Sequence, residues 1–400
     1  MKQNVARAYR REREITCVLR TYSEEIRKDA GWTDEAWNRA VQKVRQNSVR
    51  IRDGFPHVAK CGRYDDAAIH WWTNGFWAGM LWLVYREERE DTLREFAESC
   101  ERKLDAAIWE YDNLHHDVGF MWCLTSVARY KLLQAEDSRR RALIAASLLA
   151  SRFNLRGGYI RAWNNDVTWN GDKTGWAIVD CLMNLPLLFW ATECTGDPRF
   201  QYIAMAHADT AIEHFVRPDG SCRHIVSFNP LTGTFREAVA GQGYSPDSAW
   251  ARGMSWAIYG FTLSYKYTGV ARYLETAERV AQFFIENLPS EMIPPWDFRA
   301  PDTMDGPRDS SAGACAASGM LELATLVAPT RSAYYRDAAI KLIRALDQKC
   351  GTWARNEEGL LGFATGDRPR SLNVHVSMIY GDYFFLEGIA KLRGQHDLFW

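Results

Sequence analysis

Apolar positions along this chain recur with the period of an α-helix far more often than with the two-residue alternation of a strand. In "PRFQYIAMAHADTAIEHF" (198–215), Phe200, Ile203, Ala204, Ala208, Ala211, Ile212 and Phe215 fall on one helical face. Segments of this kind span 36–51, 74–88, 91–109, 117–134, 137–153, 176–194, 198–215, 248–267, 270–287, 310–327, 331–350 and 381–393, which predicts twelve helices. They alternate in character. Those starting near 74, 117, 176, 248, 310 and 381 are rich in Gly, Ala and aromatics and apolar on most sides. The others are amphipathic, and several open on similar wording: "TGDPRFQYIA", "TGVARYLETA", "APTRSAYYRDA". Such recurrence is an internal repeat whose unit is a helical hairpin. Six hairpins, each with one buried and one half-buried helix, predict two concentric rings, an all-α (α/α)6 barrel. An open solenoid would show a polar face on its last repeat, and "IYGDYFFLEGIAKL" (379–392) has none.

No Pro/Gly/Ser linker divides the chain, so 31–400 is expected to be a single domain, with 1–30 as an N-terminal helical extension. The longer connections, 154–175, 218–247, 288–309 and 351–378, are rich in Gly, Asn, Asp, His and Trp, and long loops on a rigid scaffold are where function concentrates. Composition narrows the partners. A net charge of −1 argues against a nucleic-acid surface or a polybasic membrane patch. No apolar run is long enough for a membrane span, and the charged N-terminus is not a secretory signal. Nine cysteines without a Cys-x-x-Cys pair suit reduced thiols and a cytoplasmic location. The 17 Trp, 17 Tyr and 18 Phe suit a large core, and equally a pocket for flat polar ligands such as sugars.

Against that background one stretch stands out. "WAIVDCLMNLPLLFW" (176–190) reads as a buried helix with Asp180 at its centre. An ionised carboxylate buried without a partner costs several kcal/mol, and such a group takes up a proton instead. Asp180 is therefore either a general acid with a raised pKa or a structural aspartate satisfied by a helix end or an arginine. Asn184, one turn on, is placed to hydrogen-bond it. Pro186 is expected to bend the helix nearby. In "NLHHDVGFMW" (113–122), Asp117 is either the N-cap of the following helix or a second carboxylate paired with Asp180. The adjacent His115 and His116 should point apart and chelate a metal poorly. "HWWTNGFWAGMLW" (70–82) and "GQGYSPDSAWARGMSWAIYGF" (241–261) place Trp72, Trp77, Trp250 and Trp256 near helix starts. Arg252 lies among them, either a fork for a substrate carboxylate or an arginine reaching out from the ring surface. His224 and Gln242 are candidate polar contacts. "RDSSAGA" (308–314) reads as an N-cap followed by small residues for close packing. No phosphate-binding Gly loop, zinc-binding helix or Gly-x-Ser-x-Gly elbow occurs, and no metal or organic cofactor is implied.

Taken in order, "WWTNGFWAGMLWL", "LHHDVGF", "GGYIRAW", "IVDCLMNLPLLFWATECTGDPRF", "QGYSPDSAWARGMSWAIYG", "WDF", "RDSSA" and "YGDYFFLEG" make the chain similar to the unsaturated glucuronyl hydrolases, from about residue 55 to the C-terminus. The family fold is an (α/α)6 barrel. The resemblance implies a glycoside hydrolase that removes the 4,5-unsaturated uronic acid left at the non-reducing end by polysaccharide lyases. It implies Asp180 as general acid and base and Asp117 as the second catalytic carboxylate. It further implies that Trp72, His116, His224, Gln242, Arg252 and Trp256 line the sugar subsite, with Trp250 beside them. The implied partner is an unsaturated uronate-containing di- or oligosaccharide. The implied reaction is hydration of the C4=C5 vinyl ether. A Ser-x-x-Ser-x-Lys run of some members is missing from "GFATGDRPRSLNVHVSMIYGDY" (362–383), where Arg368 and Arg370 are the available cations. Near Asp117, "FMW" stands where the family often has "FLY". The competing readings are an unsaturated rhamnogalacturonyl hydrolase acting on pectin fragments, a sugar epimerase on the same barrel, and a non-catalytic sugar-binding barrel.

Overall fold

A helix that is apolar on every side must be surrounded, and one that is apolar on a stripe must lie on a surface. The computed structural model, which describes residues 31–165, 171–354 and 356–400, obeys this division. The extension expected over 1–30 lies outside the described residues. Along Phe76–Glu88 the ten residues from Phe76 to Tyr85 are all buried, and along Ala251–Thr268 every residue through Ser264 is. In contrast, Asp91–Lys103 buries only Leu93, Ala97, Cys100 and Glu101, a stripe one residue wide.

The buried helices form the inner ring: Phe76–Glu88, a helix over 118–133, Leu185–Thr195, Ala251–Thr268, Ser310–Ala324 and Ile379–Leu392. Each packs on the next, and Ile379–Leu392 packs back on Phe76–Glu88, so the ring is closed and the solenoid is excluded. The outer ring consists of helices over 31–51, Asp91–Lys103, Glu136–Ser151, Pro198–His214, Ala271–Glu286 and Pro329–Ala345. This is the (α/α)6 barrel. In Pro198–His214 the predicted face is buried at Phe200, Ala204, Ala208 and Ala211, and His207 joins it because its Nδ1 accepts the Ile160 N–H at 3.0 Å. Among the described residues no helix is long and apolar enough to cross a membrane.

Two expectations about the 176–194 segment are corrected. Trp176–Ile178 is a strand, paired antiparallel with Ile225–Phe228, which pairs in turn with Phe235–Val239. A short 3₁₀ turn, Val179–Met183, follows, and the α-helix begins only at Leu185. Pro186 sits in the first turn of that helix, where no backbone hydrogen bond is required of it, so it starts the helix rather than bending it. Asp180 accordingly stands at the mouth of the barrel, not midway down a buried helix. Short hairpins also punctuate the loops, among them Ala364–Asp367 with Leu372–Val376.

The far end of the inner ring is plugged. Trp400 stacks on Phe384 with ring centroids 5.9 Å apart, and its indole N–H donates to the buried Glu387 at 2.8 Å. Glu387 also accepts from Tyr383 at 2.9 Å and Tyr259 at 3.1 Å.

Candidate active site

The inner helices start at one rim of the ring, and the residues around a cavity of about 350 Å³ come from those starts and from the loops beside them. Asp117 immediately precedes Val118, Arg252 is the second residue of its helix and Tyr380 the second of Ile379–Leu392. Helix N-termini carry unpaired N–H groups and a positive end of the backbone dipole, so this rim favours anions. A larger cleft, of about 550 Å³, opens outside the barrel along the 31–51 helix. Two of its cations are already engaged, Arg39 by Asp347 and Lys43 by the Thr352 carbonyl.

Asp180 is set by the sheet. The Ile178–Ile225 register and a 3.0 Å hydrogen bond from the Val179 N–H to the His224 carbonyl place it against His224. Its side chain is 16 % exposed, and Oδ2 is buried with no hydrogen-bond partner. Burial, reinforced by the negative charge of Asp117, pushes its pKa up to about 8; Arg252 and the Trp256 indole oppose this and are outweighed. Asp180 is thus neutral at pH 7. Nδ1 of His224 accepts the Gln242 backbone N–H at 2.9 Å, closer than its 3.3 Å contact with the Ala240 carbonyl. That pattern assigns the proton of the imidazole to Nε2, 3.7 Å from Oδ2 of Asp180. Burial lowers the His224 pKa to about 3, so the ring is uncharged. Gly241 permits the arrangement: its φ is +60°, and a Cβ there would lie 2.0 Å from His224 Nδ1.

Asp117 has the opposite environment. It occupies the N-cap position, but its side chain makes no capping bond. Instead Oδ1 accepts the Asn184 amide at 3.0 Å, and Oδ2 lies 3.3 Å from His115 Nδ1 and 3.5 Å from His116 Nε2. Burial alone would raise its pKa; the two imidazoles and the Asn184 amide outweigh it and hold Asp117 below the usual carboxylate range. Two expectations are corrected here. Asn184 bonds the carboxylate of Asp117, not that of Asp180, from which it takes only the backbone carbonyl at 3.2 Å. The two histidines converge on Asp117 instead of pointing apart. Their donor atoms and that of Asp117 lie within 4.8 Å of one another, and among the described residues this is the one cluster that could hold a metal ion. Burial lowers His116 to about 4 and leaves it neutral.

Five predicted site residues line the cavity: Asp117, Asp180, Trp72, Gln242 and Arg252. The other four form its backing. His116 lies against Asp117 and His224 against Asp180. Trp250 packs on His224 at 4.3 Å and on the Arg252 guanidinium at 4.5 Å, and Trp256 is wholly buried beside Asp180. Arg252 does not reach out from the surface. It is buried, paired with Asp309 at 2.8 Å and donating to the carbonyls of Thr365 at 2.5 Å and Gly366 at 2.7 Å. Asp309 is the N-cap read in "RDSSAGA", accepting the Ser311 and Ala312 N–H groups. Trp77 plays no part, since its indole N–H donates to the Arg52 carbonyl at 2.9 Å. His57, Trp71, His115, Trp163, Arg370 and Tyr380 also line the cavity; of these all but His57 fall in or beside strings that composition or motif had marked.

The Glycosyl Hydrolase Family 88 pattern matches residues 42–294, most of the chain. The chain belongs to glycosyl hydrolase family 88. It is 36 % identical over 359 residues to the unsaturated glucuronyl hydrolase of Bacillus sp. (strain GL1), covering 87 % of this chain and 93 % of the relative. It is 33 % identical to the unsaturated chondroitin disaccharide hydrolase of Streptococcus pyogenes serotype M1, over 92 % of each. The crystal structure of the Bacillus sp. GL1 enzyme, described as responsible for the degradation of glycosaminoglycan, superposes with a TM-score of 0.86 at 34 % identity, covering 90 % of this chain and 97 % of that one. As a family 88 member the chain is a glycoside hydrolase, and the rim of its inner ring carries two carboxyls in opposite charge states.

Proposed function

We propose that this glycoside hydrolase releases the 4,5-unsaturated uronic acid from the non-reducing end of lyase-generated oligosaccharides, glycosaminoglycan-type disaccharides above all, by hydrating the C4=C5 vinyl ether. The observation that carries this reading is Asp180, a carboxyl whose buried Oδ2 has no hydrogen-bond partner and whose pKa burial raises to about 8, beside a carboxyl held below the usual range. Protonating a carbon at neutral pH needs an acid that still holds its proton there, and an ordinary aspartate with a pKa near 4 does not.

In the proposed sequence Asp180 gives its proton to C4, and the double-bond electrons form the new C4–H bond. Positive charge then develops at C5 and the ring oxygen. Asp117 stabilises that charge as a fixed anion. The Asp180 carboxylate, now facing the Nε2–H of His224, takes a proton from water while the water oxygen bonds to C5. The hemiketal opens to a keto acid and releases the leaving sugar, and Asp180 is again neutral for the next turnover. The uronate carboxylate is drawn to Arg252 and the helix starts. Trp72 offers an aromatic face to the sugar and Gln242 a polar contact, while His116, Trp250 and Trp256 hold these groups from behind.

The names of the two relatives, glucuronyl and chondroitin disaccharide hydrolase, support the substrate class. For the leaving sugar, Arg370 lines the cavity, whereas Arg368 turns to Asp302 at 3.4 Å; Arg370 is thus the cation that a sulfated substrate would meet. Residues 31–400 act as a single catalytic domain in this proposal. A cytoplasmic location accords with the eight cysteines among the described residues, all free. Purified protein mixed with sulfated and unsulfated unsaturated disaccharides should abolish the ultraviolet absorbance of the conjugated double bond for at least one of them. If absorbance persists across the panel, the reading is wrong.

A further inference from the structure

The two carboxyls are joined by one side chain. Asn184, fully buried, directly precedes the inner helix Leu185–Thr195 and follows the turn that carries Asp180. Its amide donates to Oδ1 of Asp117 at 3.0 Å and to the backbone carbonyl of Asp180 at 3.2 Å. Its own oxygen accepts the Phe120 N–H at 2.9 Å, at the first turn of the helix that Asp117 precedes. All the polar capacity visible in this amide is therefore spent on the two segments that present the carboxyls. The approach is close enough to require glycine opposite: a Cβ on Gly119 would lie 2.5 Å from Asn184 Cα and 2.7 Å from its Oδ1.

A group used only for packing would not need an orientation-specific amide here, since an apolar residue of the same shape satisfies a core more cheaply. We infer that Asn184 is a positioning residue, fixing the orientation and the charged state of Asp117 and tying that carboxylate to the segment that carries Asp180. This inference rests on the proposed roles of Asp117 and Asp180. The groups acting on Asp117 are few. His115 and His116 come from its own segment, Asp180 and the neutral Cys181 from the facing turn, and Arg152 from the end of the outer helix Glu136–Ser151. Among them Asn184 alone donates to Oδ1 while also holding both backbones.

Two substitutions separate positioning from packing. Asn184→Ala removes the donor and leaves the Phe120 N–H with only its 3.1 Å bond to the Asp117 carbonyl. Asn184→Asp keeps an acceptor for Phe120, and while protonated it also keeps a donor for Asp117. A carboxyl placed against another carboxylate has a raised pKa, so its donor exists below that pKa and is lost as pH rises through it. The kinetic expectation is that Asn184→Ala lowers kcat/KM at every pH by about 10- to 100-fold, the scale of a displaced catalytic group. Asn184→Asp should recover activity on the acid side and lose it on the alkaline side at lower pH than the wild type. A titration of the Asp117 carboxyl in isotope-labelled aspartate protein, assigned with Asp117→Asn, supplies a readout that needs no turnover. There Asn184→Ala should move the Asp117 transition up by about one to two pH units, the loss of one hydrogen bond to a charged group. An unmoved Asp117 transition, or an Asn184→Asp profile that parallels Asn184→Ala at all pH values, overturns the inference. If Asn184→Ala does not fold, Asn184→Asp decides through the same two measurements. If the wild type proves inactive on every unsaturated disaccharide, the functional reading fails, and the carboxyl titration still decides the role of Asn184.

Discussion

Replacing Asp180 by Asn should abolish turnover and raise stability, because the same burial that makes the carboxyl a usable acid also makes it costly to fold. Its pKa rises from 3.8 to about 8. The folded value lies above the unfolded one, so the penalty is absent below about pH 4, grows as the unfolded chain ionises, and saturates once pH passes about 8. At about 1.4 kcal/mol per unit, the three units or so between 3.8 and pH 7 amount to about 4 kcal/mol, an upper bound since the pocket opens to water. A chain of 400 residues unfolds with an entropy of about 0.8 kcal/mol per kelvin, so Asp180→Asn should melt up to about 5 °C higher at pH 7 and at the same temperature as the wild type near pH 4. The asparagine has the same shape, no titrating proton and no acid to give, so kcat should fall by at least the about 10²- to 10⁴-fold ascribed to a general acid. Calorimetry of both proteins from about pH 4 to 8, with turnover followed by loss of the vinyl absorbance, tests both halves. A melting difference that does not grow with pH refutes the neutral carboxyl. Full turnover in the variant refutes the acid assignment.

Asp117→Asn should lower kcat by about 10²- to 10³-fold, the usual loss when a fixed transition-state charge is removed. Because the charge of Asp117 is one of the two causes that raise the Asp180 pKa, the alkaline limb of the residual pH–rate profile should also move to lower pH; a limb that stays in place breaks the link between the two groups. Arg252→Met leaves the buried Asp309 without its cation and should destabilise the fold by about 3–5 kcal/mol. Arg252→Lys keeps the charge but cannot span Asp309 and two carbonyls, so it should fold while raising KM about tenfold or more. An unchanged KM in Arg252→Lys would remove the guanidinium from substrate binding.

What was legible in the sequence was whatever a helix reports through its own periodicity. The inner helices announce themselves because residues such as those from Ala251 to Ser264 are apolar all round, and the outer ones because their stripes repeat every third or fourth position. Trp176–Ile178 was unreadable on the same grounds. A strand of three apolar residues running into an apolar helix has no period of its own, and only its pairing with Ile225–Phe228 defines it. The site divides in the same way. Asp180, Asp117 and Arg252 were visible as charges in apolar surroundings. Two of their partners were not, because they lie far away in the chain: Asn184 is 67 residues from Asp117 and Asp309 is 57 from Arg252. His57 reaches the cavity from a loop whose composition carries no such signal.

The two carboxyls face one cavity and share one electrostatic field, yet they sit on opposite sides of neutrality, and hydrogen bonding explains the split. Asp117 gains a donor from Asn184 and the company of two imidazoles, each of which favours the anion. Asp180 Oδ2 gains none, and His224 Nε2 stands at 3.7 Å, beyond hydrogen-bond reach. Once Asp117 is ionised its charge further disfavours ionisation of Asp180. A proton leaving Asp180 for a sugar carbon therefore leaves an anion in an environment that does not welcome one, and the quickest relief is to reclaim a proton from the water that attacks the neighbouring carbon. In the proposed reaction, the feature that keeps Asp180 protonated near neutral pH is thus the same one that makes its conjugate base basic enough to finish the turnover.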